Sequence, residues 1–212
     1  FQDHSDFTLN TLKNYRGLHM VRDPRDIIVS GCFYHQRAEE SWMHIPRKRY
    51  EGLSYVQRIN SFDTVQEQLL FEMEHIGLLT LRDMYSWNYR NKHFLEVQYE
   101  NLIDDRELTE FRKVFTFLQK DNSVLAQFHI DDLLQLAHDN SLFSGKVNDG
   151  GHVRSGEASQ WREYFDTKLS QRFVELFGDL LIRLGYEQDH SWAGLDKPPA
   201  GPPQCEALTI FD

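Results

Sequence analysis

"HMVRDPRDIIVS", residues 19–30, holds the decision about the fold. Two apolar residues run into Arg22, followed by Asp23-Pro24, a second Arg-Asp pair, the β-branched Ile27, Ile28 and Val29, and then Ser30. Asp is a preferred helix N-cap and Pro the residue best tolerated at the first helical position. The stretch therefore reads as a buried strand over 18–21 that turns into a helix running through Ile27, Ile28 and Cys32 to about Tyr34. A strand feeding a helix N-terminus is a ready anion site, because unpaired backbone N–H groups and the helix dipole point at it.

Working outward, residues 36–62 are mixed and highly charged, and read as an exposed excursion with short helical pieces. From Asp63 onward Val65, Leu69, Met73, Ile76, Leu79 and Met84 recur at helical spacing. "HFLEVQY" (93–99) alternates Leu95, Val97 and Tyr99, the signature of a second strand. A helix comes next with Leu108, Phe111, Phe115 and Leu118 as its apolar stripe, then a shorter one over 130–138. Residues 140–161 are glycine-rich with few apolar anchors, which predicts a surface loop. The last strong helix spans 168–186, with Phe173, Leu176, Phe177, Leu180, Leu181 and Leu184 on one face and Gly185 as its stop. Beyond about residue 189 the chain turns Pro/Gly-rich ("KPPAGPPQ"), which predicts an extended tail. Strands separated by helical segments specify an α/β architecture with a mainly parallel sheet.

Composition narrows the chemistry. With 33 acidic against 23 basic residues in 212, the chain lacks the basic surface that a broad nucleic-acid interface needs. A local basic pocket for a small anion stays open. Two cysteines far apart, Cys32 and Cys205, make no disulfide framework and suggest an intracellular, cytoplasmic protein. No apolar run approaches the roughly 18 residues of a membrane span. The ten histidines show no metal-ligand spacing and no cysteine pair accompanies them, so no metal is expected.

Three groups of residues carry candidate chemistry. Arg22 stands at the carboxyl end of a predicted strand, where open α/β sheets collect ligands. Ser30, eight residues on, offers a directional hydroxyl to complement the guanidinium fork around one phosphate. The competing reading pairs Arg22 with Asp23 or Asp26 and lets Ser30 bond back to its own helix. In "HVRSGEASQW", Gly156 lets backbone approach an anion and Arg154 closes over it; otherwise this is an ordinary loop with one solvated arginine. Trp161 and Phe165, four apart, anchor the helix after that loop into the core. Tyr99 ends a strand, as a ring for a base to stack on or as a plain interface aromatic.

In this order, the three segments resemble the sulfotransferases that use 3′-phosphoadenosine 5′-phosphosulfate (PAPS). "VRDPRDIIVSGCFYH" is similar to that family's 3′-phosphate segment, "YENL" to its Tyr-Glu segment, and "RSGEASQWREYF" to its Arg-x-Gly loop. The resemblance covers about residues 16–186. It implies a three-layer, P-loop-like nucleotide-binding fold over residues 1–189, with 190–212 as tail. It further implies that Arg22 and Ser30 bind the 3′-phosphate, that Arg154, Ser155 and Gly156 close on it, and that residues near Tyr99 contact the adenine. Family members often carry lysine where this chain has Ser155, which removes a charge from the pocket. The family's Gly-Lys-Ser/Thr loop for the 5′-phosphosulfate does not occur in these 212 residues; since the chain starts with Phe rather than Met, that loop is expected upstream of Phe1.

The implied reaction moves a sulfuryl group from PAPS, as co-substrate, to a hydroxyl or amine of a small-molecule, lipid or saccharide acceptor. The family often places its general base, a histidine, ahead of the phosphate-binding strand. Here that position falls to His4. Two alternatives stand beside this one: a sulfotransferase-like module that binds nucleotide and transfers nothing, and a nucleotide-kinase-like phosphotransferase, which would want an Asp-centred magnesium site and an arginine-rich lid.

Overall fold

A computed structural model describes residues 13, 15–120, 122–140, 156–197 and 203–204. His4, Arg154, Ser155 and Cys205 lie outside the described residues, as does most of the glycine-rich loop. The chain divides into two compact units. Among the described residues, a helical unit takes 23–87 and 159 onward, and a strand unit takes 13–22 and 88–158.

The strand unit is organised by β1 (Gly17–Val21) and β2 (Phe94–Gln98), which pair in parallel with Gly17 opposite Phe94 and Val21 opposite Gln98. Parallel neighbours need a long crossover, and the connection here is the whole of residues 22–93. Only His19 and Val21 of β1 are buried, while Leu18 and Met20 are 39 and 50 % exposed. The expectation of a buried strand is thus corrected to a half-buried one. Three helices come after β2: α5 (Tyr99–Leu102), α6 (Thr109–Gln119) and α7 (Ile130–Asn140). On α6 the predicted stripe is only half-buried and the buried side chain is Val114. Asp105 caps this helix instead of a Ser or Thr, its carboxylate accepting the N–H groups of Thr109 and Phe111 at 2.8 and 2.9 Å.

The helical unit begins with α1 (Pro24–His35), capped by Asp23 as its sequence demands: the carboxylate accepts the Arg25 N–H at 2.9 Å. Residues 36–62 are largely exposed and carry short helical pieces, as expected, but they are anchored in the core. Two 3₁₀ turns (Ser41–His44, Lys48–Tyr50) and α2 (Tyr55–Ile59) bury Met43, Tyr50, Tyr55 and Ile59 almost completely. These apolar anchors are spaced for short turns rather than for a regular helix, so charge density masked them. The next periodic stretch is two helices, α3 (Val65–Glu74) and α4 (Ile76–Ser86), broken at His75, whose φ and ψ are −123° and −97°. The break resets the phase: Leu78 and Leu81 turn inward and Leu79 stays 38 % exposed. After residue 159 come α8 (Trp161–Tyr164), α9 (Thr167–Phe177) and α10 (Leu180–Arg183). The single helix expected over 168–186 is interrupted at Gly178, where φ is +57°, a conformation that favours glycine. Its apolar face nonetheless forms the core: Phe173, Leu176, Phe177, Leu180 and Leu181 are all within 2 % of full burial. Packing continues past residue 189, since Trp192, in a 3₁₀ turn (Ser191–Ala193), lies edge-on to Trp161 and Phe173 at 5.9 and 5.8 Å between ring centroids.

Candidate functional site

The two arginines of "RDPRD" have separate duties. Arg25, 2 % exposed, has every side-chain nitrogen engaged: Nε and Nη2 donate to the Asp23 carboxylate at 3.0 and 2.7 Å, and Nη1 donates to Glu187 Oε1 at 2.5 Å. Its guanidinium carbon also lies 3.6 Å from the Trp161 ring centroid and 4.6 Å from that of Trp192. A delocalised, weakly hydrated cation between two indoles suits a buried position that lysine would not. Asp26, 1 % exposed, accepts the backbone N–H groups of Ser159 and Trp161 at 2.7 and 2.8 Å. Ser159 holds a positive φ of 61°. The second Arg-Asp pair therefore fastens the start of α1 to the end of the glycine-rich loop, a role invisible in the sequence because its partners lie as far as 135 and 162 residues away.

Arg22 differs. It sits at the carboxyl end of β1, its Nη2 donates to the Glu157 carbonyl at 3.2 Å, and its guanidinium carbon lies 4.6 Å from the Tyr99 ring centroid. It forms no ion pair among the described residues, so the reading that paired it with Asp23 or Asp26 does not hold. Its Nε is buried and makes no hydrogen bond. A buried donor left without an acceptor costs stability, and an anion bound at the strand end would relieve it. Tyr99, the first residue of α5, donates its hydroxyl to the Gly156 carbonyl at 3.0 Å. Gly156 has a φ of +70°. Arg22, Tyr99 and Gly156, separate in sequence, are thus brought together in the strand unit by the end of the glycine-rich loop. The donor set is cationic, flat and peptide-rich, and it fits a phosphate beside an aromatic base.

Ser30 lies in the helical unit, exposed on α1, and its hydroxyl makes no hydrogen bond among the described residues. The alternative in which it bonds back to its own helix is not realised. The strand-borne His19 is 8 % exposed, 2.5 Å from Glu96 Oε2 through Nδ1, and edge-on to Tyr89. Cys32 is no nucleophile: burial first, and the Glu72 charge second, push its thiol up to about 12. Among the described residues no three His, Cys, Asp or Glu side chains gather as a metal ion requires, and no helix is long and apolar enough to cross a membrane.

A family model described as a sulfotransferase domain matches residues 8–185 of this chain. No curated protein and no solved structure shows significant similarity. The match covers most of the 212 residues, and the chain belongs to the sulfotransferase domain family.

Proposed function

We propose that this member of the sulfotransferase domain family transfers a sulfuryl group from PAPS to a hydroxyl or amine of a small-molecule, lipid or saccharide acceptor, releasing adenosine 3′,5′-bisphosphate. Arg22 and Ser30 hold the 3′-phosphate, Arg154, Ser155 and Gly156 close on it, and Tyr99 faces the adenine. No metal takes part and no nucleic acid is a partner. The two parallel strands belong to a three-layer, P-loop-like sheet, residues 1–189 constitute the transferase domain, and 190–212 form a Pro/Gly-rich segment after it. The protein works in the cytoplasm.

One observation carries the reading: Arg22 Nε is buried, unpartnered and next to an aromatic ring at the end of a parallel strand. A phosphate oxygen supplies the missing acceptor, and the charge-assisted bond it makes is about twice as strong as a neutral one. Sulfuryl transfer, like phosphoryl transfer, passes through a loose in-line displacement in which positioning and charge stabilisation do most of the catalysis. The acceptor's proton needs a base, and the family resemblance nominates His4, outside the described residues.

Calorimetry tests the assignment. Arg22→Ala is expected to weaken adenosine 3′,5′-bisphosphate by about 2–3 kcal/mol and to leave adenosine 5′-monophosphate nearly unchanged. Equal losses for both nucleotides would remove Arg22 from the 3′ position. A binding module without transfer would keep the first result and release no ³⁵S-labelled product from labelled PAPS.

A further inference from the structure

One run of the helical unit has a charge opposite to that of the chain. Residues 41–50, "SWMHIPRKRY", carry three cations and no carboxylate in a chain of net charge −10. The inner side of the run is fixed. Met43 and Tyr50 are buried, His44 Nε2 lies 2.8 Å from the Ala38 carbonyl oxygen, and the Arg47 N–H donates to the Leu53 carbonyl at 3.0 Å. Tyr50 lies edge-on to Tyr55, Phe71 and His75, at 5.8, 5.5 and 5.4 Å between ring centroids. Tyr55 in turn donates its hydroxyl to the buried Glu72 of α3 at 2.7 Å, and His35 Nδ1 lies 2.8 Å from the same carboxylate oxygen. The run is therefore seated on packed aromatic rings and a His35–Glu72–Tyr55 cluster.

Its outer side is open. Trp42 and Ile45 are 50 and 53 % exposed, and Trp42 is the exposed one of four tryptophans. Arg47, Lys48 and Arg49 are exposed and form no ion pair among the described residues. Ile45 and Lys48 stand three residues apart, at most about 11 Å, so the apolar pair and the cations share one small area. The carboxylate that follows, Glu51, is paired with Arg58 at 3.5 Å. Before the run, Arg37 and Glu39 cancel in charge and Glu40 accepts the Tyr34 hydroxyl. The Tyr50 hydroxyl is buried and its proton has no acceptor. Arg49 and Arg47, whose charges pull the pKa of that hydroxyl down against the upward push of burial, can only donate. A phosphate oxygen held by those arginines supplies the missing acceptor.

An exposed indole, an exposed isoleucine and three cations on anchored turns match a surface that is anionic outside and apolar within. A soluble anion needs the cations but not the apolar pair. We propose that residues 41–50 dock the protein on an anionic phospholipid membrane, with Trp42 and Ile45 entering the boundary between headgroups and acyl chains and Arg47, Lys48 and Arg49 pairing with the headgroups. Tryptophan favours that boundary because its ring is apolar and its N–H polar. The stems of Arg and Lys lie along the apolar layer while their charges stay among the headgroups. Repulsion between the lipid and the remaining, net-negative protein selects the side that lands. The docking is peripheral and does not depend on the sulfuryl-transfer reading.

Vesicle sedimentation with the full-length protein is the test. The protein is expected to bind phosphatidylcholine vesicles containing about 30 % phosphatidylserine, and pure phosphatidylcholine at least about tenfold more weakly. Raising NaCl from about 0.1 to 0.5 M should release most of it, because the charges are then screened at shorter range. Arg47→Ser/Lys48→Ser/Arg49→Ser should lose about 10²-fold in affinity, at roughly fivefold per cation. Trp42→Ser/Ile45→Ser leaves the charge unchanged and should lose about tenfold. Brominated acyl chains should quench the tryptophan emission of the wild type and not that of Trp42→Phe. These positions are exposed, so urea midpoints should match the wild type; Lys48→Glu alone, with an expected loss of about tenfold or more, serves if a multiple variant is destabilised. Arg106→Gln, which removes an exposed cation of the strand unit, should bind as the wild type does. Absence of vesicle binding, equal binding to the two vesicle types, or full binding by either multiple variant would overturn the proposal. So would retention on heparin at about 0.15 M NaCl without vesicle binding, which would make an acidic polysaccharide the occupant.

Discussion

In the helical unit the arginine at the start of α1 is closed on its neighbours, whereas in the strand unit the arginine at the end of β1 is left with capacity to spare. Arg25 has two carboxylates and two indoles; Arg22, three residues earlier, has one carbonyl and one phenol ring, with a buried nitrogen unserved. The cores differ in the same sense. Phe173 and Phe177 pack tilted at 4.8 Å between centroids with no exposure, while the aromatic stripe of α6 is only half-covered. The buried arginine of α1 thus serves stability and the arginine of β1 keeps capacity for a ligand, because a donor already satisfied at home has little to offer one.

The sharpest way to break that contrast is to delete one aromatic from each core. Phe177→Ala should cost roughly 3–5 kcal/mol in urea unfolding, and Phe115→Ala less than about 2, since a half-exposed ring loses less burial. Equal costs would show that the two cores are equally sealed. Next come the arginines. Arg25→Ala takes the cation away from the buried Asp23 carboxylate and should cost about 3 kcal/mol of stability. Arg22→Ala should stay within about 1 kcal/mol of wild type while damaging nucleotide binding. If Arg22→Ala destabilised as much as Arg25→Ala, it would be another structural clamp.

The smallest effect concerns pH and belongs to the helical unit alone. His75, its ring tilted against that of Phe71 at 4.1 Å between centroids and bonded to the Phe71 carbonyl through Nδ1, is held below its ordinary pKa chiefly by burial. The unfolded chain then binds this proton first, so the contribution is complete above about pH 6.5 and is lost as pH falls below that value. His75→Gln should reduce the drop in urea midpoint between about pH 7.5 and 5.5, a window that brackets the ordinary imidazole value. An identical drop in the variant would show that His75 is not what titrates.

Local chemistry is legible in the sequence and distant chemistry is not. Asp23-Pro24 announces the start of α1 because a cap needs only its nearest neighbours. The alternation over 93–99 announces β2 for the same reason. The α9 stripe reads as core, yet its pattern runs straight through Gly178, because apolar spacing on either side of the break remains nearly in phase. The break at His75 escapes notice because no glycine or proline stands at it. In the candidate site, Arg22 and Tyr99 stand out by position at strand ends. The clamp built on Arg25 and Asp26, and the His35–Glu72–Tyr55 cluster, depend on pairings across 17 to 162 residues that no local pattern encodes.

The Asp26 link to Trp161 also sets a schedule for synthesis. A ribosome adding about 5–20 residues per second needs roughly 7–27 seconds to travel the 135 residues between them. For that interval the Asp26 carboxylate of the nascent α1 awaits the amides of Ser159 and Trp161 that donate to it, and Arg25 has met only Asp23. The residues of the strand unit from 88 to 158 emerge in the meantime, inserted between the two halves of the helical unit. The more stable unit is thus the last to be completed, and its unfinished first half is the species that a chaperone would have to hold.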